Sequence, residues 1–454
     1  MSRRTRHHAA AAAALALWLT AAPTYATGRL HVAWVDQFGT SGFDVVDDVA
    51  ADDDQAYAVG RVGFGLALLG QSTSGAVDAF ARSYLPSGDV AWTRQFGTSG
   101  FDGFTVAAAT GTRVVVAGMT TGAFDGATNA GGGDVFVRTF TPGGEVRSMV
   151  QLGTSGFDFL LGVAADETAT YLFGLTDGTW PGETGAGGQD FFLGRLDPAG
   201  GLEWMRQFGT SADDPSGFTL GDVDVDATGA YVTSTVRAPL GGAMSVGDAD
   251  AFVRKYSLTG DLLWTSRFGT ACRDLASGLA TFGGDVYVAG TTFGDLARPD
   301  LRRCTKPPSP YNNYGGGTSA FVRRLGPDGS PRWTTSYAEG VPAGVGFNLA
   351  ITVDVDETGA YVGAEAVRPR TGGIGDEPGA PACPVASPRE DVLVQQVAHD
   401  GSVGASVRFG STGLDVPSGI AAGAGGVHVG GTTACEVLSG ASAGRHDAFV
   451  VRLE

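Results

Sequence analysis

Short apolar runs of strand length, broken by glycine- and proline-bearing turns, fill most of the chain. Where polar residues enter a run they alternate with apolar ones, as in Asp222-Val-Asp-Val-Asp226. A period of two puts one set of side chains on each face of a strand. One stretch resolves into four strands: A over Leu349–Asp354, B over Ala360–Ala366, C over Asp391–Val397 and D over Ser402–Phe409. Elsewhere C and D are joined by tight turns such as Pro86-Ser-Gly88, Pro142-Gly-Gly144 and Pro327-Asp-Gly329. Proline followed by glycine suits β-turns between antiparallel strands.

The four-strand unit repeats. The phrase Trp34-Val-Asp-Gln-Phe-Gly-Thr-Ser-Gly-Phe-Asp44 returns as Trp92-Thr-Arg-Gln-Phe-Gly-Thr-Ser-Gly-Phe-Asp102, with further copies at Gln151, Trp204 and Trp264 and weaker ones at Trp333 and Val407. A second phrase opens strand C at Asp78, Asp134, Asp190, Asp250, Ser319, Asp391 and Asp447. A Tyr-Val-Gly-like strand lies between them, as in Asp285-Val-Tyr-Val-Ala-Gly290. Seven four-stranded units predict an all-β fold, a seven-bladed β-propeller of antiparallel blades.

The combined pattern, Asp-Ala-Phe-Val, Pro-x-Gly, aromatic-x-x-x-Phe-Gly-x-Ser-Gly-x-Asp and Val-Tyr-Val-x-Gly, resembles the SBBP repeat, a family named for a seven-bladed β-propeller. The likeness covers the chain from residue 27 to residue 454. It departs at Ser148, which holds a Trp position, and at Ala338-Glu339-Gly340, which replaces Gly-Thr-Ser. The ends agree with a ring. An orphan D strand at His31–Phe38 precedes the first unit, and the last unit, Gly419–Glu454, stops on a C strand. The first strand can complete the last blade and remove both open edges.

Composition adds limits. With 73 Gly and 20 Pro in 454 residues, a mainly helical fold is excluded, because each interior Gly costs ~1 kcal/mol relative to Ala. At 43 % hydrophobic and 17 % charged, the chain is too apolar for disorder. Length alone suggests about three domains, but the repeat makes residues 27–454 a single domain. The net charge of −18 argues against a nucleic-acid partner. Arg3, Arg4 and Arg6 followed by the apolar stretch Ala9–Ala22 read as a signal peptide over residues 1–26, cleaved after Ala26. The remainder has no membrane span and is expected to be an exported monomer at the cell surface, in the periplasm or outside the cell.

Repeated residues suit blade-building better than chemistry, since each does one job several times. The Gly-Thr-Ser-Gly segment predicts a tight passage between blades with glycine at φ > 0. Asp44, Asp102, Asp158, Asp274 and Asp415 can be calcium ligands or acceptors of local backbone amides. No other cofactor is expected.

Function should lie where the repeat is broken. Two long B–C insertions, at 293–318 and 367–390, share one face with the D–A connections and with Cys272, Cys304, Cys383 and Cys435. An even cysteine count in an exported chain predicts disulfides, with proximity favouring Cys272–Cys304 and Cys383–Cys435. The insertions also carry Arg298, Arg302, Arg303, Lys306, Tyr311, Tyr314, Arg368 and Arg370. These residues either form a rim that contacts an anion or glycan or balance nearby acids.

Catalytic motifs are not evident. His31, His399, His428 and His446 fall at different places in the repeat. Gly440-Ala-Ser-Ala-Gly444 has the letters of a nucleophile elbow but lies in a small-residue loop rather than a strand-to-helix turn. The expected function is a binding or structural scaffold for an extracellular protein or glycan. The alternative is a polysaccharide hydrolase or lyase using carboxylates of the central funnel.

Overall fold

The computed structural model describes residues 30–454 apart from 212–213, 215–219, 243–246, 297–318, 338–347, 368–389, 412 and 435–445. The described residues form seven four-stranded antiparallel sheets and no helix, the seven-bladed propeller anticipated above. Blade 1 runs through strands A to D as Asp44–Ala51, Ala56–Val62, Asp78–Tyr84 and Val90–Phe96. Strand A of blades 2 to 6 is Asp102–Thr110, Asp158–Ala165, Asp222–Asp226, Asp274–Phe282 and Asn348–Asp356. The A strands pack on one another around a central channel, and the D strands form the outer wall.

The ring closes through its ends. Val32–Phe38 pairs antiparallel with Asp447–Leu453 as strand D of blade 7. His31 N–H donates to the Glu454 carbonyl and Glu454 N–H to the His31 carbonyl, both at 3.0 Å. Blade 7 begins earlier than the expected Gly419: its strand A is Asp415–Gly423, because the aspartate that ends each passage also opens the next strand.

Neighbouring blades are joined by a recurring set of contacts. The Trp34, Trp92, Trp204, Trp264 and Trp333 indoles donate to carbonyls in the C–D turn of the next blade, those of Pro86, Pro142, Leu258, Pro327 and His399, at 2.8–3.2 Å. Each ring lies against the glycine of that turn. Gly88 has φ 90° and Gly144 φ 81°, and a Cβ would stand 2.9 Å from the Trp34 ring and 2.6 Å from the Trp92 ring. Glycine is needed there for both conformation and space. Further in, the strand D Phe packs beneath an arginine from strand C of the next blade. Arg82 lies over Phe38 at 4.0 Å, Arg138 over Phe96 at 4.5 Å, Arg254 over Phe208 at 4.4 Å and Arg323 over Phe268 at 4.4 Å.

The sequence pattern also explains the blade that lacks a tryptophan beside the closure. Blade 6 carries Ala405 at the Trp position, and blade 7 has chain ends where the other blades have a C–D turn. No turn glycine is there to receive an indole.

The Gly-Thr-Ser-Gly passages correct one expectation. Gly97 and Gly100 do not adopt φ > 0. A Cβ on Gly97 would stand 2.6 Å from Asp78 Oδ1 and 2.7 Å from Asp102 Oδ2, and one on Gly100 would stand 2.6 Å from Thr121 Oγ1. Crowding, not backbone handedness, selects glycine here. The passage aspartates accept local hydrogen bonds. Asp102 Oδ2 takes the Thr98 N–H at 2.6 Å and its hydroxyl at 3.0 Å, and Asp158 Oδ2 takes those of Thr154 at 2.6 and 3.1 Å. Burial nevertheless pushes both carboxyls above their ordinary range.

Candidate functional site

Two features converge near the axis: carboxylates along the channel and an apolar rim on the face bearing the D–A and B–C connections. The carboxylates come from strand A. Asp48 accepts the Val49 N–H at 2.8 Å and, across the blade boundary, that of Ala107 at 3.0 Å. Asp222 accepts those of Val223 at 2.8 Å and Leu279 at 2.9 Å, and Asp354 those of Val355 and Ala422, both at 2.7 Å. Asp224 adds the Val225 N–H at 2.8 Å and the Thr281 N–H and hydroxyl at 2.7 and 2.8 Å. Blades 1, 4 and 6 thus reach into blades 2, 5 and 7.

These acids are half-buried. Burial raises Asp48 and Asp354 to about 7 and Asp222 well above the ordinary carboxylate range. Hydrogen bonds from N–H groups oppose the rise, and repulsion between carboxylates of non-adjacent blades adds to it. The alternating Asp222-Val-Asp-Val-Asp226 pattern is therefore a strand with one polar face, as its period implied. Asp222 and Asp224 clasp blade 5, and Asp226 caps the following turn by accepting the Thr228 N–H at 2.7 Å. Among the described residues no three or more His, Cys, Asp or Glu side chains group in a way that could hold a metal ion.

The rim lies at the opposite end of the polarity scale. In the B–C connection of blade 1, Phe64 is 75 % exposed and Leu69 97 % exposed. Phe64 also has φ 62°, a conformation that disfavours a bulky residue. The loop is clamped from below by Gln95, whose Oε1 accepts the Leu68 N–H and whose Nε2 donates to the Leu66 carbonyl, both at 2.9 Å. Gln151 and Gln207 repeat the clamp, accepting the Phe124 N–H at 3.1 Å and the Trp180 N–H at 3.0 Å. Beside the loop, strand A of blade 2 presents Phe104, 39 % exposed at φ 51°. Phe101 and Phe159 flank Phe104, with ring centroids 5.2 and 5.3 Å away. The Arg61 guanidinium sits 4.6 Å from its centroid and is ion-paired with Asp47. Asp47 Oδ2 also accepts the Thr105 N–H at 3.0 Å.

Of the expected site residues, Arg298, Arg302, Arg303, Lys306, Tyr311, Tyr314, Arg368 and Arg370 lie outside the described residues, as do Cys304, Cys383, Cys435 and the Gly440–Gly444 segment. Cys272 is buried in the D–A connection into blade 5 and is not a free thiol. The histidines do not converge. His31 is exposed beside Glu454. His399 Nδ1 is 2.6 Å from the Tyr287 hydroxyl, and His446 lies against Phe43. His428 is fully buried beneath Trp34, its pKa lowered by burial to about 4. Sequence reasoning missed Phe64, Phe104 and the Arg61–Asp47 pair. The signal for Phe104 was present: strand A carries Val46, Leu160 and Ala276 at the same register in other blades.

No family model and no curated protein sequence matches the chain. Solved structures with similar folds include a protein of unknown function from Bacteroides caccae, 10 % identical over 79 % of this chain and 94 % of that one, at a TM-score of 0.38. A subtype N10 neuraminidase-like protein of A/little yellow-shouldered bat/Guatemala/060/2010 is 11 % identical, covering 94 % and 100 %, at 0.38. Cobalt-substituted Synechocystis apocarotenoid oxygenase is 12 % identical, covering 87 % and 88 %, at 0.41. Likenesses this distant say nothing of function, and the architecture rests on the strand pairing itself.

Proposed function

We propose that this chain is an exported binding propeller of the SBBP type, holding an extracellular glycan or protein on the face that carries its D–A and B–C connections. The observation that carries this reading is the blade 1 loop, which presents Phe64 and Leu69 to solvent while Gln95 fixes its backbone. Exposed apolar groups on a fixed frame favour association, because little order is lost on binding. The sequence puts the insertions at 293–318 and 367–390 between strands B and C, the connections of this face, and Arg302, Arg303 and Arg370 would serve there as contacts. Disulfides Cys272–Cys304 and Cys383–Cys435 would brace them, and non-reducing peptide mapping reads the pairing directly.

Hydrolysis or lysis of a polysaccharide by the channel acids is the weaker reading. Asp48, Asp222 and Asp354 engage both carboxylate oxygens with backbone amides, in roles that hold blades together. A general acid needs an oxygen free to meet the leaving group. Screening the mature protein on glycan arrays and chromogenic glycosides separates the two. Binding without turnover, reduced by Phe64→Ser with Leu69→Ser, supports the scaffold; turnover abolished by Asp48→Asn overturns it.

A further inference from the structure

Phe104 occupies a position that blades 1, 3 and 5 keep closed. Its counterparts Val46, Leu160 and Ala276 are buried, and each pairs with a strand B glycine: Gly60, Gly174 and Gly290. The slot is shallow because the strand C phenylalanine lies behind that glycine. A Cβ on Gly60 would stand 2.7 Å from the Phe80 ring. Blades 1, 3 and 5 carry a one-residue bulge just after this pair, whereas in blade 2 the pairing runs from Gly103↔Met119 to Val106↔Ala117, leaving Phe104 unpaired and turned out at φ 51°. Strained, outward-turned side chains of this kind concentrate at ligand sites.

We infer that Phe104 is the stacking plate of a subsite for one pyranose ring of a neutral glycan, an inference that rests on the proposed binding role of this face. A sugar ring has an apolar C–H face and a polar edge. Phe104 is steadied by Phe101 and Phe159, and the Arg61 guanidinium, ion-paired with Asp47, lies over one face of its ring. The inferred sugar therefore stacks on the opposite face and meets the pair's donors and acceptors past the ring edge. Charge selects against acidic sugars: Arg61 is neutralised by Asp47, carboxylates line the adjoining channel, and the chain carries −18. Gly103 keeps the subsite compact, since a Cβ there would stand 2.9 Å from the Arg61 side chain and 3.2 Å from the Phe101 ring.

The test is calorimetric titration of the full mature chain with cello-, xylo-, laminari- and chitohexaose, with polygalacturonate and heparin as anionic probes. Phe104→Val installs the residue that blade 1 uses in the slot; Phe104→Trp keeps an aromatic plane. The expected result is binding of a neutral hexasaccharide that weakens at least tenfold in Phe104→Val and changes less than threefold in Phe104→Trp, while the Phe104→Val melting temperature is unchanged or higher. Equal affinity in Phe104→Val, no binding of any neutral hexasaccharide, or binding confined to the anionic probes overturns the subsite. If a glycan or protein ligand is lost on Phe64→Ser but kept in Phe104→Val, the subsite falls and the binding face stands. If no ligand binds at all, both fall.

Discussion

The boundaries on the two sides of blade 2 are built differently. Between blades 1 and 2 all the joining devices are present: Trp92 on the Pro142–Gly144 turn, Arg138 over Phe96, and Asp47 and Asp48 reaching the Thr105 and Ala107 amides. Between blades 2 and 3 all are missing together. Ser148 stands for the Trp, Leu152 for the Phe and Gly194 for the Arg, and Val106 holds the register of Asp48. Val150 packs on the turn glycine Gly200 instead. Arg113, nearly fully buried, donates to the Asp166 and Ala169 carbonyls of blade 3. The Phe and the Arg are lost as a pair because each is one half of a contact. Without the Phe ring a strand C arginine has nothing to lie on, and a buried unpaired cation is costly.

The comparison breaks most visibly at Trp92. Trp92→Ala removes a buried indole and its hydrogen bond, and about 3–5 kcal/mol of stability should be lost in urea unfolding. A loss below ~1 kcal/mol would mean the boundary does not depend on it. On the other side, Arg113→Met removes its hydrogen bonds to the Asp166 and Ala169 carbonyls, of which Ala169 keeps the Asp166 N–H, and should cost about 1–3 kcal/mol. A neutral result would show that apolar packing alone joins blades 2 and 3.

A subtler contrast is pH dependence. Asp48 titrates at about 7 in the fold and near 4 unfolded, so the folded chain holds its proton more tightly. That contribution is complete below pH ~4 and is lost as pH rises through 7. His428 acts oppositely, its contribution fading as pH falls from ~6.5 to 4. Asp48→Asn leaves the histidine term in place, so its urea midpoint should fall less between pH 4 and 7 than that of the unsubstituted protein. Superimposable profiles would contradict this. The smallest effect is expected at Ser148→Ala, within about 0.5 kcal/mol; a larger loss would reveal a device not described above.

Much of this contrast was legible in the residues. Seven copies of the strand phrases, the turn signals and the orphan first strand specify the ring, since each element's period and turn chemistry is local. Ser148 stood out because five other blades set the rule it breaks. The candidate site was less legible, for physical reasons. An Asp-Val alternation marks a polar strand face without saying which blade's amides the carboxylates will meet. The turned-out Phe104 depends on how strand A of blade 2 pairs with strand B, from Gly103↔Met119 to Val106↔Ala117, which no local pattern states. Even the passage glycines were assigned the wrong cause, because crowding by two aspartates arises only once blades are side by side.

The pairing of Val32–Phe38 with Asp447–Leu453 has a consequence for how the molecule comes to exist. Among the described strands Val32–Phe38 is made before all the others and its partner Asp447–Leu453 after all the others, so the two can pair only once every blade has been made. Until then the growing array has an exposed edge at each end, and the innermost strands of blades 1 and 7 face no neighbour. Closure thus reports on the presence of every blade: a product truncated anywhere before residue 447 retains blades but lacks the partner of Val32–Phe38.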